Sequence, residues 1–344
     1  MSNDIHIRRE GVAGRITLTR PKALNALTYE MAMAIDAALS DWLADDAVQV
    51  VILDAEGEKA FCAGGDIQQL YEKGRAGDFA YGQTFWRDEY RLNARLARYP
   101  KPIVSFMQGF VMGGGVGIGC HARVRIVGES TQIAMPECGI GLVPDVGGSL
   151  LLARAPGRLG AYYGLTAARM QAGDAIHCGF ADLFVPEDRW PALISNLCDG
   201  SDISMLPGEA HPAEAAILAH QAEVDTLFSG QLAEVEARLA AAGGPFAEAA
   251  LKAVRRNSPI AMAVTLEMLD RLRQETDIRA ALKLEYRFTA RSMEHADFLE
   301  GIRAQIIDRD RNPAWRHGIA DVTEAAVAGM LAPLGAQELT FEEE

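Results

Sequence analysis

Ile103-Val-Ser-Phe-Met107, then Phe110-Val-Met-Gly-Gly-Gly-Val-Gly-Ile118, then Arg123-Val-Arg-Ile-Val127 is the stretch that decides the fold. An apolar run, a triple glycine opening a short apolar segment and a second apolar run read as strand, glycine-led helix over 113–121, and strand. The alternation is already present upstream. Residues 15–19 alternate polar and apolar, and Leu27, Met31, Ile35, Leu39 and Leu43 recur at helical spacing behind Thr28, a candidate N-cap. Val48-Gln-Val-Val-Ile-Leu53 has the apolar character of a strand covered on both faces. Strands alternating with helices predict an α/β architecture.

Each glycine costs about 0.5–1 kcal/mol relative to alanine inside regular structure. What three in a row offer in return is close backbone approach to a ligand, with bare N–H groups aimed at it. Phe61-Cys-Ala-Gly-Gly-Asp66 supplies a second glycine turn after the Val48–Leu53 run. Amide donors from the two loops, at Gly65 and Gly114, would together form an oxyanion hole, each donor contributing about 2.7–4 kcal/mol to a transition state. A dinucleotide loop is disfavoured for the triplet, because no acidic residue closes a following strand about twenty positions on. Tight helix–strand packing is the structural alternative for the triplet; for the second turn it is a plain strand-to-helix connection capped by Asp66.

Three carboxylates stand out. Glu137 follows Pro136, Asp145 follows Pro144 and precedes Val-Gly-Gly148, and Glu89 lies in Arg87-Asp-Glu-Tyr90. In isolation each has a structural explanation: a solvated first-turn carboxylate, a helix cap and a surface ion-pair partner. Alongside donors for a developing negative charge, Glu137 and Asp145 describe an acyl-transfer site. His121 ends an apolar stretch and reads as a satisfied interior side chain. No Ser-His-Asp or G-x-S-x-G arrangement points to a serine hydrolase, and the acids and histidines show no metal-ligand spacing.

With 344 residues, 49% hydrophobic and 23% charged, the chain has ordinary globular composition near the upper size of a single core, so one large domain or a domain with an appendage are both open. A net charge of −14 without a basic run argues against a nucleic-acid partner, but a few local lysines or arginines can still hold an anionic small molecule. The five widely spaced cysteines form no C-x-x-C pair and read as reduced, mostly buried thiols. Met1-Ser-Asn-Asp4 has neither secretory nor Arg-rich presequence character, and no stretch reaches the roughly eighteen apolar residues of a membrane span. The expected location is cytoplasmic. Residues 67–96 read as a long helical excursion and 199–212 as a connecting loop. The chain beyond is alanine-rich and helical, with helices over 260–272, started at Ser258-Pro259, and 278–293; Glu342-Glu-Glu344 is expected to fray.

Taken together these segments resemble the crotonase (enoyl-CoA hydratase/isomerase) superfamily, and within it the 3-hydroxyisobutyryl-CoA hydrolase branch. The resemblance rests on Arg20-Pro-Lys-Ala-Leu-Asn-Ala-Leu27, Phe61-Cys-Ala-Gly-Gly-Asp-Ile67, Phe110–Ile118, Ala134-Met-Pro-Glu137 through Gly148, Asp297-Phe-Leu-Glu-Gly-Ile-Arg-Ala304 and Asp308-Arg-Asp-Arg-Asn-Pro-Ala-Trp315. It implies a spiral of β-β-α units giving two stacked sheets, then a helical C-terminal region: residues 1–200 as the core, 201–325 as helices completing a coenzyme A site, and 326–344 as a tail. It implies an acyl-CoA substrate, of which coenzyme A is a part, with no separate cofactor and no metal. It places the oxyanion donors at Gly65 and Gly114 and lays Lys22 and Ala23 along the coenzyme A, with Asp66 in the substrate-binding set and Arg303 a weaker phosphate neighbour.

The departures from the hydratases decide the expected reaction. Of the two glutamates that hold water in hydratases, the second matches Glu137 while the first falls on Gly117, which has no carboxylate. Asp145 stands where the hydrolase branch has aspartate, and Glu89 matches a substrate-contacting glutamate of that branch. The resemblance therefore implies hydrolysis of the 3-hydroxyisobutyryl-CoA thioester in valine breakdown, with Glu137 as base or nucleophile and Asp145 and Glu89 assisting. An enoyl-CoA hydratase or isomerase is the alternative, and a noncatalytic coenzyme A-binding scaffold a third. Homo-oligomers occur among crotonase relatives.

Overall fold

The computed structural model describes residues 4–203, 206 and 214–341, so part of the 199–212 segment and all of Glu342-Glu-Glu344 lie outside the described residues. The chain divides into two compact units. One comprises the chain up to Asp66 with Arg91–Ala134 and Arg169–Ala216; the other comprises Ile67–Tyr90, Met135–Ala168 and the chain from Ile217 onward.

The first unit carries the strands: β1 (Ile5–Glu10), β2 (Ala13–Leu18), β3 (Val50–Ala55), β4 (Ala60–Cys62), β5 (Ile103–Met107), β6 (Phe110–Met112), β7 (Val124–Val127), β8 (Gln132–Ala134) and β9 (Leu183–Phe184). They form a six-stranded sheet in the order β1-β2-β3-β5-β7-β9 and a three-stranded sheet in the order β4-β6-β8. Among the strand pairs of the described residues, the β1–β2 hairpin is antiparallel and the others are parallel. Each turn of chain lays one strand in the large sheet (β3, β5, β7) and the next in the small one (β4, β6, β8). That is the β-β-α spiral implied by the resemblance.

Burial explains why β3 and β5 are almost wholly apolar. Val50, Ile52, Val104, Phe106 and Ile126 share one sheet face and pack on Trp190, Ile194 and Leu197 of the helix Trp190–Cys198. The alternate residues Val51 and Leu53 point the other way and are also buried, as strand periodicity requires. Each such side chain removed from water contributes about 1.5–3 kcal/mol. Thr28 caps the helix Tyr29–Leu43 as expected, its hydroxyl accepting from the Met31 amide at 3.2 Å.

Asn25 fixes the turn ahead of that helix. Leu24 and Asn25 both adopt positive φ (51° and 54°), a conformation that asparagine tolerates better than most residues. The buried Asn25 side chain accepts from the Arg20 amide at 2.8 Å and donates to the carbonyls of Glu56 (2.9 Å) and Ala60 (2.8 Å).

The second unit is helical, including Gln68–Arg75, the residues of Phe79–Arg98 through Tyr90, Leu159–Thr166, Pro259–Leu272 and Ile278–His295. The expected 67–96 excursion is thus two helices, parted at Gly77, whose φ is +78°. Ser258 starts Pro259–Leu272, its hydroxyl oxygen accepting from Ala261 N at 3.3 Å. Residues 326–341 hold most of the helix Glu324–Met330, and Glu338 pairs with Arg287 at 3.1 Å.

The helix Gly114–Gly119 has no room for side chains against β4: a Cβ at Gly115 would lie 2.1 Å from the Cys62 carbonyl oxygen. Gly115→Ala is therefore expected to lower unfolding stability by about 1–3 kcal/mol, read as a reduced midpoint in urea. An unchanged midpoint would contradict this packing.

Candidate active site

Two glycine turns leave the same end of the small sheet. β4 and β6 are parallel neighbours, so the segments after them, Ala63-Gly-Gly65 and Gly113-Gly114, emerge side by side. The turn after β4 is pinned by main-chain bonds: Ala63 N to Leu24 O (3.0 Å), Leu27 N to Gly64 O (2.9 Å) and Asp66 N to Leu27 O (2.8 Å). This parallel bridge engages the flanking groups and skips the Gly65 amide, which has no acceptor among the described residues. Gly113 adopts φ +47°, ψ −118°, which favours glycine, and Gly114 is the first residue of its helix, so its N–H has no intrahelical partner. The triplet therefore combines tight packing at Gly115 with a free amide at Gly114.

In the other unit, Glu89, Glu137 and Asp145 are all buried, at 4%, 4% and 5% exposure. The surface and capping explanations fail for each. Glu89 makes no ion pair among the described residues; Glu137 heads the short 3-10 helix Glu137–Ile140 without reaching solvent; and the helix Gly148–Arg154 begins after Gly147, with no side-chain cap from Asp145. Asp145 Oδ2 accepts from the Tyr90 hydroxyl at 2.7 Å. One Glu137 oxygen, Oε2, is buried without a partner among the described residues. The next residue after Asp145, Val146, has φ +54°, a strained conformation for a β-branched side chain that costs about 1–3 kcal/mol.

A fourth buried carboxylate, Glu285, joins them. Oε2 accepts from Gly147 N at 2.9 Å, and Oε1 accepts from Ser149 N at 3.2 Å and from the Ser149 hydroxyl. Sequence reasoning missed it, although a signal was there. Glu285 sits within the apolar stripe of Ile278, Ala281, Leu282 and Phe288, where a charge on a solvated face would not fall.

The electrostatics follow from burial. Glu89 is pushed up to about 8 by desolvation, with the Asp145 charge adding to it. Desolvation also raises Glu285, to about 8, against the opposing hydrogen bonds from Ser149 and Gly147. Burial also moves Asp145 and Glu137 upward. The Tyr90 hydroxyl favours ionised Asp145, whereas the Asp145 and Glu285 charges oppose ionisation of Glu137. At neutral pH Glu89 holds its proton.

The loop carrying Glu137 is held by the C-terminal helices. Ser258 N donates to Cys138 O at 2.9 Å, and a Cβ on Gly141 or Gly301 would strike the backbone of Asp297 (2.4 Å) or Ile140 (2.2 Å). Buried Asp297 accepts from the Ser258 hydroxyl at 2.7 Å and from Arg316 N at 3.0 Å. The 297–304 motif thus supports the placement of Glu137.

The remaining candidates lie elsewhere. Lys22 and Ala23 are exposed in the short turn Pro21–Ala23, and Lys22 lines a cleft of about 500 Å³ with Lys59, Glu56 and Glu58. Asp66 pairs with Arg20 at 3.3 Å and does not cap the helix Gln68–Arg75. Arg303 is shared among Glu300, Asp308 and Asp310, each at 2.7 Å, so its charge is matched within the protein. His121 is half-buried, and all five cysteines are buried thiols outside any disulfide. Among the described residues no group of three or more His, Cys, Asp or Glu is arranged to hold a metal ion, and no helix is long and apolar enough to cross a membrane.

Strands pairing as a β-β-α spiral, with glycine turns at one sheet end, mark a crotonase fold, and comparison with known proteins agrees. Residues 13–331 match the enoyl-CoA hydratase/isomerase family model; the chain belongs to this family. A crystal structure described as an enoyl-CoA hydratase from Rhodobacter sphaeroides 2.4.1 is 61% identical, covers 98% of this chain and 100% of its own, and superposes with a TM-score of 0.96. Another, described as a carnitinyl-CoA dehydratase from Mycobacterium thermoresistibile, is 42% identical over 100% of both chains with a TM-score of 0.94. A Danio rerio relative named 3-hydroxyisobutyryl-CoA hydrolase, mitochondrial, is 37% identical over 98% of this chain and 91% of its own.

The buried carboxylates give a signed pH dependence of stability. A carboxyl raised from 4.5 to about 8, as Glu89 is, keeps its proton in the folded state where the unfolded chain has lost it. Stability therefore falls as pH rises through that window and levels off above it. Melting temperatures are expected to decline over this range, and Glu89→Gln to flatten the decline and raise stability at its alkaline end. A melting temperature that climbs with pH, or an unaltered slope in Glu89→Gln, would contradict the assignment.

Proposed function

We propose that this protein hydrolyses the thioester of 3-hydroxyisobutyryl-CoA, or a close 3-hydroxyacyl-CoA, to the free hydroxy acid and coenzyme A, a step in valine breakdown. The observation that carries the reading is the joint burial of Glu89, Glu137 and Asp145, three carboxylates in one apolar setting with no pairing cation among the described residues. Gly117, buried within the helix Gly114–Gly119, offers no carboxylate for the two-glutamate hydratase arrangement. The name carried by the Danio rerio relative supports the hydrolase reading, while the names of the two solved structures keep hydration as the competing one.

In this reading the Gly65 and Gly114 amides hold the thioester oxygen as it becomes an oxyanion. Water attacks the carbonyl carbon and Glu137 takes its proton, or Glu137 attacks first and water opens the resulting anhydride. On the direct route the carbon–sulfur bond breaks as the tetrahedral intermediate collapses, and on the covalent route it breaks as the anhydride forms; in each the departing thiolate takes a proton from the carboxyl cluster. Asp145, oriented by Tyr90, and Glu89 attend the substrate hydroxyl and the leaving group. Coenzyme A belongs to the substrate, so no separate cofactor enters. The anionic tail falls to the exposed turn of Lys22 and Ala23, with Asp66 in the substrate-binding set.

Glu137 must be ionised to act, and burial holds its proton well above the usual carboxylate range. Turnover is therefore expected to rise with pH on a limb displaced upward from ordinary carboxylates. Free thiol should appear from 3-hydroxyisobutyryl-CoA, and Glu137→Gln and Asp145→Asn should each lower turnover by about 100-fold or more. Loss of enoyl absorbance from crotonyl-CoA without thiol release from any hydroxyacyl-CoA would assign hydration instead. Coenzyme A binding without turnover of any thioester would leave a scaffold.

A further inference from the structure

We propose that Glu285 is a positioning residue for Asp145, setting that carboxylate by holding the backbone that immediately follows it. The proposal rests on the hydrolase reading for the reaction it serves, and on geometry for the residue itself. Asp145 is followed by Val146 and Gly147, both at positive φ (54° and 80°). A turn with a β-branched residue in that region does not persist unless its surroundings over-determine it. One fixed point is internal: the Gly148 amide donates to the Asp145 carbonyl at 2.7 Å. The other is Glu285, whose two oxygens take the amides of Gly147 and Ser149 and the Ser149 hydroxyl. The carboxylate thus spans the junction between the strained turn and the helix Gly148–Arg154.

The same helix reaches the other side of Asp145. Thr289, four residues after Glu285, has its hydroxyl 3.4 Å from the Tyr90 hydroxyl that donates to Asp145, and the Tyr286 ring meets the Tyr90 ring edge-on at 6.3 Å. Ile278–His295 therefore fixes both the main chain after Asp145 and the phenol on its side chain. The groups around Glu285 are Ser149, Asp145, Glu137 and Tyr90. None carries a positive charge, so an ion-pair role does not explain a carboxylate here. Acceptance of three donors at one turn does.

Glu285→Gln replaces one acceptor oxygen by an amide that can only donate, so at least one of the Gly147 and Ser149 donors loses its partner. Single-turnover rates and KM are measured for wild type, Glu285→Gln, Asp145→Asn and the double variant, with melting temperatures alongside. The expected result is about a 100-fold loss of rate in Glu285→Gln, with KM within about 2-fold of wild type. In the Asp145→Asn background the same change should alter the rate by less than about 2-fold, because the residue it acts through is gone. Equal loss in both backgrounds, or a Glu285→Gln rate within about 2-fold of wild type, overturns the proposal. If Glu285→Gln does not fold, Ser149→Ala, which removes the hydroxyl donor alone, is carried through the same cycle and judged by the same criterion. Product analysis on wild type keeps the two claims apart. Hydration in place of thiol release refutes the hydrolase reading, and the cycle then run on hydration still decides the role of Glu285.

Discussion

Four carboxylates buried together, with no lysine or arginine pairing any of them among the described residues, set the terms for the helical unit. An isolated ionised carboxylate in a protein interior costs several kcal/mol, so burial is tolerated by keeping protons on the group or by surrounding it with donors. Both remedies are in use. Glu89 relies on the first, and its pKa is pushed up to about 8. Glu285 takes three donors from Gly147 and Ser149 and is still raised. Tyr90 supplies Asp145, and a Glu137 oxygen is left unpartnered. That unpartnered oxygen is what a reacting group needs and a structural group avoids.

In the sheet unit the governing constraint is steric. Parallel pairing of β4 with β6 brings two chain turns to one sheet end, and the helix after β6 lies so close to β4 that Gly115 has no space for a Cβ. The same arrangement leaves the amides of Gly65 and Gly114 without acceptors among the described residues. Close approach and free donors are one feature, which is why the glycines are worth their loss of intrinsic stability.

Much of this was legible in the sequence. Runs with a clear period were read closely: Ile103–Met107 is β5, Thr28 and Ser258 cap the helices they precede, and the glycine triplet leads a helix. The short strands β4, β6 and β8 have three residues each, too few for a period of two to emerge, so the small sheet entered through family resemblance. Hairpin strand β1, Ile-His-Ile-Arg-Arg-Glu, is half charged and left no clear signal. The chemistry of the carboxylates was harder to see. Glu89 has charged neighbours in sequence, and nothing local marks it as buried; only the folded chain brings it to Asp145. Glu285 was the converse case, a charge inside an apolar helical stripe, detectable by periodicity but passed over because no motif contained it.

The central claim is that burial keeps protons within this carboxyl cluster at neutral pH, on Glu89 above all. Infrared titration of the protonated-carboxyl stretch tests it directly. The account predicts absorbance that persists at neutrality and disappears only as pH passes about 8, with a component lost in Glu89→Gln. Complete ionisation of every carboxyl by about pH 6, as ordinary carboxylates would show, would contradict it.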